Sequence, residues 1–152
     1  MGERGCGRTS LLRVVLAGQA PGREILWLAA DRPFDTRLQL LKWIGRSAGM
    51  KGHHIDVMTV AAYLRKRDKL LVIDGLEHLL DRSAGGLVAL DALAELMTAT
   101  RRSVTWLATC ERGVWALLQE ISPVADLFDE VVYLKPLSVD GVELAIQRRH
   151  AL

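Results

Sequence analysis

The sequence predicts a three-layer α/β/α domain built on a mostly parallel sheet. Short apolar runs without polar alternation, such as Leu70-Leu71-Val72-Ile73, suit strands buried on both faces. Longer segments with apolar residues at helical spacing lie between them. The two kinds alternate along the chain, which is the pattern of strands joined by helical crossovers. At 152 residues, 50% hydrophobic and 25% charged, the chain is read as one domain, 1–152, with a real core.

A glycine-rich start leads into a helix over Ser10–Ala17, where Leu11, Leu12, Val15 and Leu16 recur on one face, and Gly18–Gly22 with Pro21 breaks it. The apolar run Glu24–Ala30 is the first strand. Thr36–Ile44 places Leu38, Leu41 and Ile44 on one side of a helix, and Ile55–Leu64 is a second helix, closed by the solvated basic cluster Arg65–Lys69. Lys69–Asp74 is the strongest strand, four consecutive apolar residues ended by a carboxylate and Gly75. A helix over Gly86–Thr98, a strand over Ser103–Thr109, a helix over Gly113–Ile121, a strand over Asp129–Leu134 and a helix over Val139–Arg149 complete the chain.

Composition narrows the function. A net charge of +2, spread along the chain, forms no patch able to neutralise many phosphates, so charge does not imply nucleic acid. Cys6 and Cys110 are far apart and belong to no CxxC pair, which fits a reducing cytosol. His53 and His54, being adjacent, diverge in regular structure and suit a solvated loop. No apolar run approaches the roughly 20 residues of a membrane span. Trp27, Trp43, Trp106 and Trp115 lie in apolar runs and read as core. Arg101 and Arg102 read as a solvated helix end.

The chemistry is concentrated in two segments. Gly2–Ser10 (GERGCGRTS) fits GxxxxGK[ST] except that Arg8 stands at the lysine position. Gly2, Gly5 and Gly7 would let the backbone curl so that its N–H groups, with those of Cys6 and Ser10, point inward at the positive end of the following helix, a cradle for phosphate. Arg8 would meet the terminal phosphates and the Thr9 hydroxyl would reach Mg²⁺. The strand of LLVIDGLE delivers Asp74 to the carboxyl edge of a parallel sheet, where ligands bind in open α/β folds. Asp74 would hold the water shell of Mg²⁺, and Glu77 would orient or deprotonate an attacking water, unless it serves only as an acidic residue in a first helical turn.

Taken in order, GERGCGRTSLL, LLVIDGLEHLL and WLATCER resemble the nucleotide-binding core of AAA+ and STAND-type P-loop ATPases. The ending DLFDEVVYLKPLSVDGVELAIQRRH resembles that family's last core strand and the helix leading to its lid. The resemblance implies ATP and Mg²⁺ as ligands, a polar sensor at Thr109 with Arg112 close behind, and self-association or other protein partners. The spacing of Asp74 and Glu77 in IDGLE is nearer to the STAND pattern than to the adjacent Asp-Glu pair of typical AAA+ members. Only Met1 precedes Gly2 and the chain stops at Leu152, so the first core strand and the C-terminal lid are expected to be missing. In the family's 5-1-4-3-2 sheet, that leaves a gap between strands 5 and 4 unless another segment fills it or its neighbours pair directly. Arginine at the lysine position is not conservative against a closely held phosphate, so hydrolysis should suffer more than binding. The expectation is a nucleotide-binding switch or motor core; the alternative is a degenerate, non-catalytic interaction module.

Overall fold

A computed structural model describes residues 1–3, 5–19, 24–66, 69–80 and 87–150. Residues 20–22 of the expected break, 67–68 of the basic cluster and 86 at an expected helix start lie outside the described residues. Three strands, β1 (Glu24–Ala29), β2 (Lys69–Asp74) and β3 (Val104–Ala108), form a parallel sheet in the order β1-β2-β3. Trp27 lies opposite Val72, and Val72 opposite Leu107. β2 has a neighbour on each side, which explains why its apolar run shows no alternation: every residue from Lys69 to Ile73 is buried.

Alternate residues face opposite layers. Leu28, Leu71, Ile73 and Val104 join the main core under α2 (Arg37–Ser47), α3 (Val57–Leu64) and α4 (Val88–Thr100), with Leu41, Ile44, Val60, Leu64, Leu90 and Leu93. Leu70 and Val72 face the other way and pack with Leu12 of α1 (Arg8–Gln19). The α/β/α class is therefore as expected. Helices α2 and α3 start where polar side chains cap them: Thr36 Oγ1 accepts from Gln39 N at 3.2 Å, while Asp56 and Thr59 form a reciprocal capping box. Thr59's bonds hold the Asp56 carboxyl below its usual range. α5 (Arg112–Ile121) buries Trp115 and Leu118, and α6 (Val139–His150) ends the described chain.

Four expectations change. Lys69, read as the end of a solvated basic cluster, is buried as the first residue of β2, where Glu24 pairs with it. α1 begins at Arg8 rather than Ser10 and runs through Gly18 to Gln19. Glu77 sits in a short 3-10 turn, Leu76–Leu79, rather than in an α-helix. The segment Asp129–Leu134 is not a strand. A strand needs a neighbour to ladder with, and the only backbone partner described for this segment is Met1. The Met1 ammonium donates to the Val132 carbonyl, and Leu134 N donates to Met1 O at 2.6 Å. On its other side Gly2 N donates to Cys110 O at 3.3 Å, and Gly2 bridges Glu111 in parallel. Met1 and Gly2 thus occupy the expected gap at its carboxyl end.

At the opposite edge Lys69, 2% exposed, reaches Glu24 Oε1 at 2.8 Å and lies over the Tyr63 ring. A buried ammonium left without its carboxylate is costly, so Glu24→Ala should lower unfolding stability by about 2 kcal/mol. Lys69→Met should cost less than that in the same denaturant titration. The Met1 ammonium is held below its ordinary value of 8.0, first by burial and then by the Arg8 charge. Its unfolded form takes up protons before the folded one does, so stability is complete above that value and declines as pH falls through it. N-terminal acetylation should flatten this part of the pH profile of melting temperature.

Candidate functional site

The glycine-rich loop turns where the expectation placed its freedom. Gly5 and Gly7 take φ of 82° and 87°, the left-handed region that glycine enters without strain. Cys6 N donates to Glu3 O at 3.2 Å inside the turn, and the Cys6 sulfur packs on Gly2, where an added Cβ would lie 2.4 Å from it. The loop ends at Arg8, the first residue of α1.

At the carboxyl edge of the sheet, Asp74 Oδ1 accepts two hydroxyls, from Thr9 at 3.1 Å and from Thr109 at 2.7 Å. Thr109 Oγ1 in turn accepts from Gly75 N at 2.8 Å. The turn after Asp74 requires glycine: Gly75 has φ 92°, and a Cβ there would meet His78 Cδ2 at 2.7 Å and the Ala30 carbonyl at 3.1 Å. Glu77 faces back into the cluster. Its Oε1 is 2.9 Å from Arg8 Nη2 and its Oε2 accepts from Glu111 N at 3.2 Å, with both side chains of the ion pair largely buried. Arg8 Nη1 is buried and has no hydrogen-bond partner among the described residues.

The structure therefore brings Arg8, Thr9, Asp74, Glu77 and Thr109 together. Ser10 and Arg112 stay outside: Ser10 is exposed, and the Arg112 guanidinium lies over the Tyr133 ring, 5.9 Å from its centre. Arg101 pairs with Asp129 at 3.3 Å. Among the described residues no group of three or more His, Cys, Asp and Glu side chains could hold a metal alone. Thr9 beside Asp74 suits Mg²⁺ that keeps waters and phosphate oxygens as its remaining ligands.

Two residues of the cluster carried no signal of their own in the sequence. Glu111 contributes only a backbone N–H, which any non-proline residue offers. Cys110 is buried, and burial, reinforced by the Glu77 charge, pushes its thiol up to about 12. A cavity of about 660 Å³ opens beside the cluster, touching Arg8 and Thr109 at one end and otherwise following the outer edge of β3.

No protein-family model matches the chain, and no curated protein is significantly similar to it. Solved structures are. The Aeropyrum pernix Orc1 protein, solved in complex with DNA, is 18% identical with a TM-score of 0.68 over 99% of this chain. Cdc6p from Pyrobaculum aerophilum is 16% identical with a TM-score of 0.70, again over 99%. A Drosophila ORC structure, bound to AT-rich DNA and Cdc6, is 13% identical with a TM-score of 0.58 over 93%. The chain spans 42% of each of the first two chains and 50% of the third. At these identities the likeness shows the fold alone, the α/β arrangement of a parallel sheet with flanking helices that the sequence predicts. No described helix is long and apolar enough to cross a membrane.

Thiolate is the reactive form of cysteine, so iodoacetamide at neutral pH should label the half-exposed Cys6 and leave Cys110 unmodified until the protein unfolds. Mass spectrometry of the native and denatured protein reads the difference; labelling of Cys110 in the native state would contradict its burial.

Proposed function

We propose that the chain is the nucleotide-binding core of an AAA+/STAND-type ATPase that binds Mg-ATP weakly and hydrolyses it slowly. The single observation that carries this reading is the Thr9–Asp74 hydrogen bond at the mouth of the glycine loop, beside an arginine with a buried, unpartnered Nη1. Thr9 and Asp74 are the residues that would hold Mg²⁺, which when bound neutralises phosphate charge. Arg8 and the N–H groups of Gly5 and of Gly7 to Ser10 would take the phosphates, the Cys6 N–H being held by Glu3 O.

The same contacts set the expected rate. Arg8 is engaged with Glu77, so a phosphate must draw the guanidinium away before it is held, and that exchange weakens binding. Glu77 is satisfied by Arg8 and by Glu111 N, and can orient a water only after Arg8 has turned. Thr109 touches Asp74 and supports a sensor role, whereas the position of Arg112 over Tyr133 favours a structural one. The Asp74-to-Glu77 spacing favours a STAND-like branch and the fold likeness an AAA+ one; the proposed chemistry is common to both. Association with DNA is a second reading, favoured by the two neighbours solved with DNA; salt-sensitive retention on duplex DNA is its test.

At Mg-ATP about 100-fold above Kd, binding should add ~2.7 kcal/mol to stability, read as a rise of several degrees in melting temperature. Asp74→Asn should remove the Mg²⁺ dependence of that rise, and Arg8→Lys should raise turnover. No stabilisation by millimolar Mg-ATP would favour a non-catalytic interaction module instead, and ordinary ATPase rates that survive Asp74→Asn would overturn the role given to Asp74.

A further inference from the structure

α5 begins without a cap of its own. Its N-cap residue, Glu111, makes no side-chain capping bond, and its first turn, from Arg112, holds no acid. A helix start leaves backbone N–H groups unpaired and carries a partial positive charge, so it gains from a nearby carboxylate. In a capping box that carboxylate stands at the third helical position and accepts from the N-cap N–H. The third position here is Val114, whose side chain has no acceptor, and the place is taken from another element. Glu77, on the turn after β2, accepts from Glu111 N through Oε2 at 3.2 Å.

The other oxygen of the same carboxylate faces the glycine loop. Glu77 Oε1 lies 2.9 Å from Arg8 Nη2, and the two side chains are only 10% and 14% exposed. Little water screens the pair, so the charge that Arg8 neutralises is withheld from α5. The starts of α1 and α5 thus share one carboxylate, and what happens to Arg8 changes what α5 receives. A phosphate that takes Arg8 acts twice in the same direction. It removes the cation from Oε1, and it brings negative charge beside Glu77, which drives the carboxylate toward the positive start of α5.

We propose that Glu77 couples the phosphate loop to α5: when the loop is filled, Arg8 leaves Oε1 and Glu77 becomes the full N-terminal cap of α5, tightening its first turn. The coupling rests on the nucleotide reading, since phosphate is what draws Arg8 away, and it gives that site an output. The output reaches the surface. Arg112, which opens α5, lies over the exposed Tyr133 ring, and Leu117 and Ile121, one turn apart on α5, are both exposed. Coupling between two sites is reciprocal. An acid built into the first turn of α5 lessens what Glu77 gains there, and so weakens the hold of the loop on phosphate.

Hydrogen exchange on the intact chain tests the coupling, with and without saturating Mg²⁺ and a non-hydrolysable ATP analogue, while thermal shift follows binding separately. The reporters are the amides of Glu111, bonded to Glu77, and of Trp115, which donates to Glu111 O at 2.8 Å as the first bond of the helix. The analogue should slow both by about fivefold or more beyond any slowing in α4. Glu77→Gln keeps an acceptor for Glu111 N but has no charge to pass on, so it should bind the analogue and leave both amides at their unliganded rates. Gly113→Asp puts an acid in the first turn of α5, where a side chain has open space, so it should keep the melting temperature and weaken binding by about fivefold. A thermal shift without the extra slowing, equal slowing in Glu77→Gln, or unchanged affinity in Gly113→Asp would overturn the coupling and leave the nucleotide reading standing. Neither shift nor slowing in the wild type would remove both.

Discussion

One carboxylate oxygen joins the parts of this molecule that have chemistry to perform. Asp74 Oδ1 accepts the hydroxyl of Thr9 from the start of α1 and that of Thr109 from the end of β3, so the glycine loop and two adjacent strand ends meet at one atom. The loop has little else to hold it. Among the described residues, its link to the sheet backbone is the pairing of Gly2 with the end of β3, and the Arg8–Glu77 ion pair is its other side-chain tie. Hydrogen bonds to a charged acceptor are stronger than neutral ones, which suits them to anchoring a glycine-rich loop to a sheet edge. Wherever β2 ends, the loop must follow.

Much of this was legible in the sequence because it rests on short-range rules. An apolar run closed by Asp74 and Gly75 places a carboxylate at a sheet edge, and Thr9 just ahead of a helix and after three glycines places a hydroxyl near it. The failures came where a residue's state depends on a distant neighbour. Val131-Val132-Tyr133-Leu134 has strand propensity, yet a strand is a relation between segments, and the backbone beside this one is described for Met1 and Gly2 alone. Glu77 reads equally well as a water-orienting base or as a first-turn acid; its capture by Arg8 is a pairing across nearly half of the chain that spacing does not encode. Arg112 follows β3 closely, but α5 begins there and turns it toward Tyr133.

Arg8 shows how one substitution changes a site's energetics without removing charge. Its planar fork engages Glu77 through one nitrogen and buries another that has no described partner. An ammonium would place one compact charge; the guanidinium serves two directions at once. The guanidinium charge is therefore compensated inside the site, a resting arrangement in which the acid that would act on a water is paired with the arginine that would receive phosphate.

Gly75 carries a different kind of consequence. The His78 ring and the Ala30 carbonyl fill the place where any side chain would begin, and the backbone already sits in the left-handed region. In a saturation scan, the steepest intolerance around Asp74 would thus fall on the residue with no functional group, and it would register as lost soluble protein before any change in ligand affinity. The acids and hydroxyls of this edge can be changed one at a time, but the corner that aims them strains any residue other than glycine.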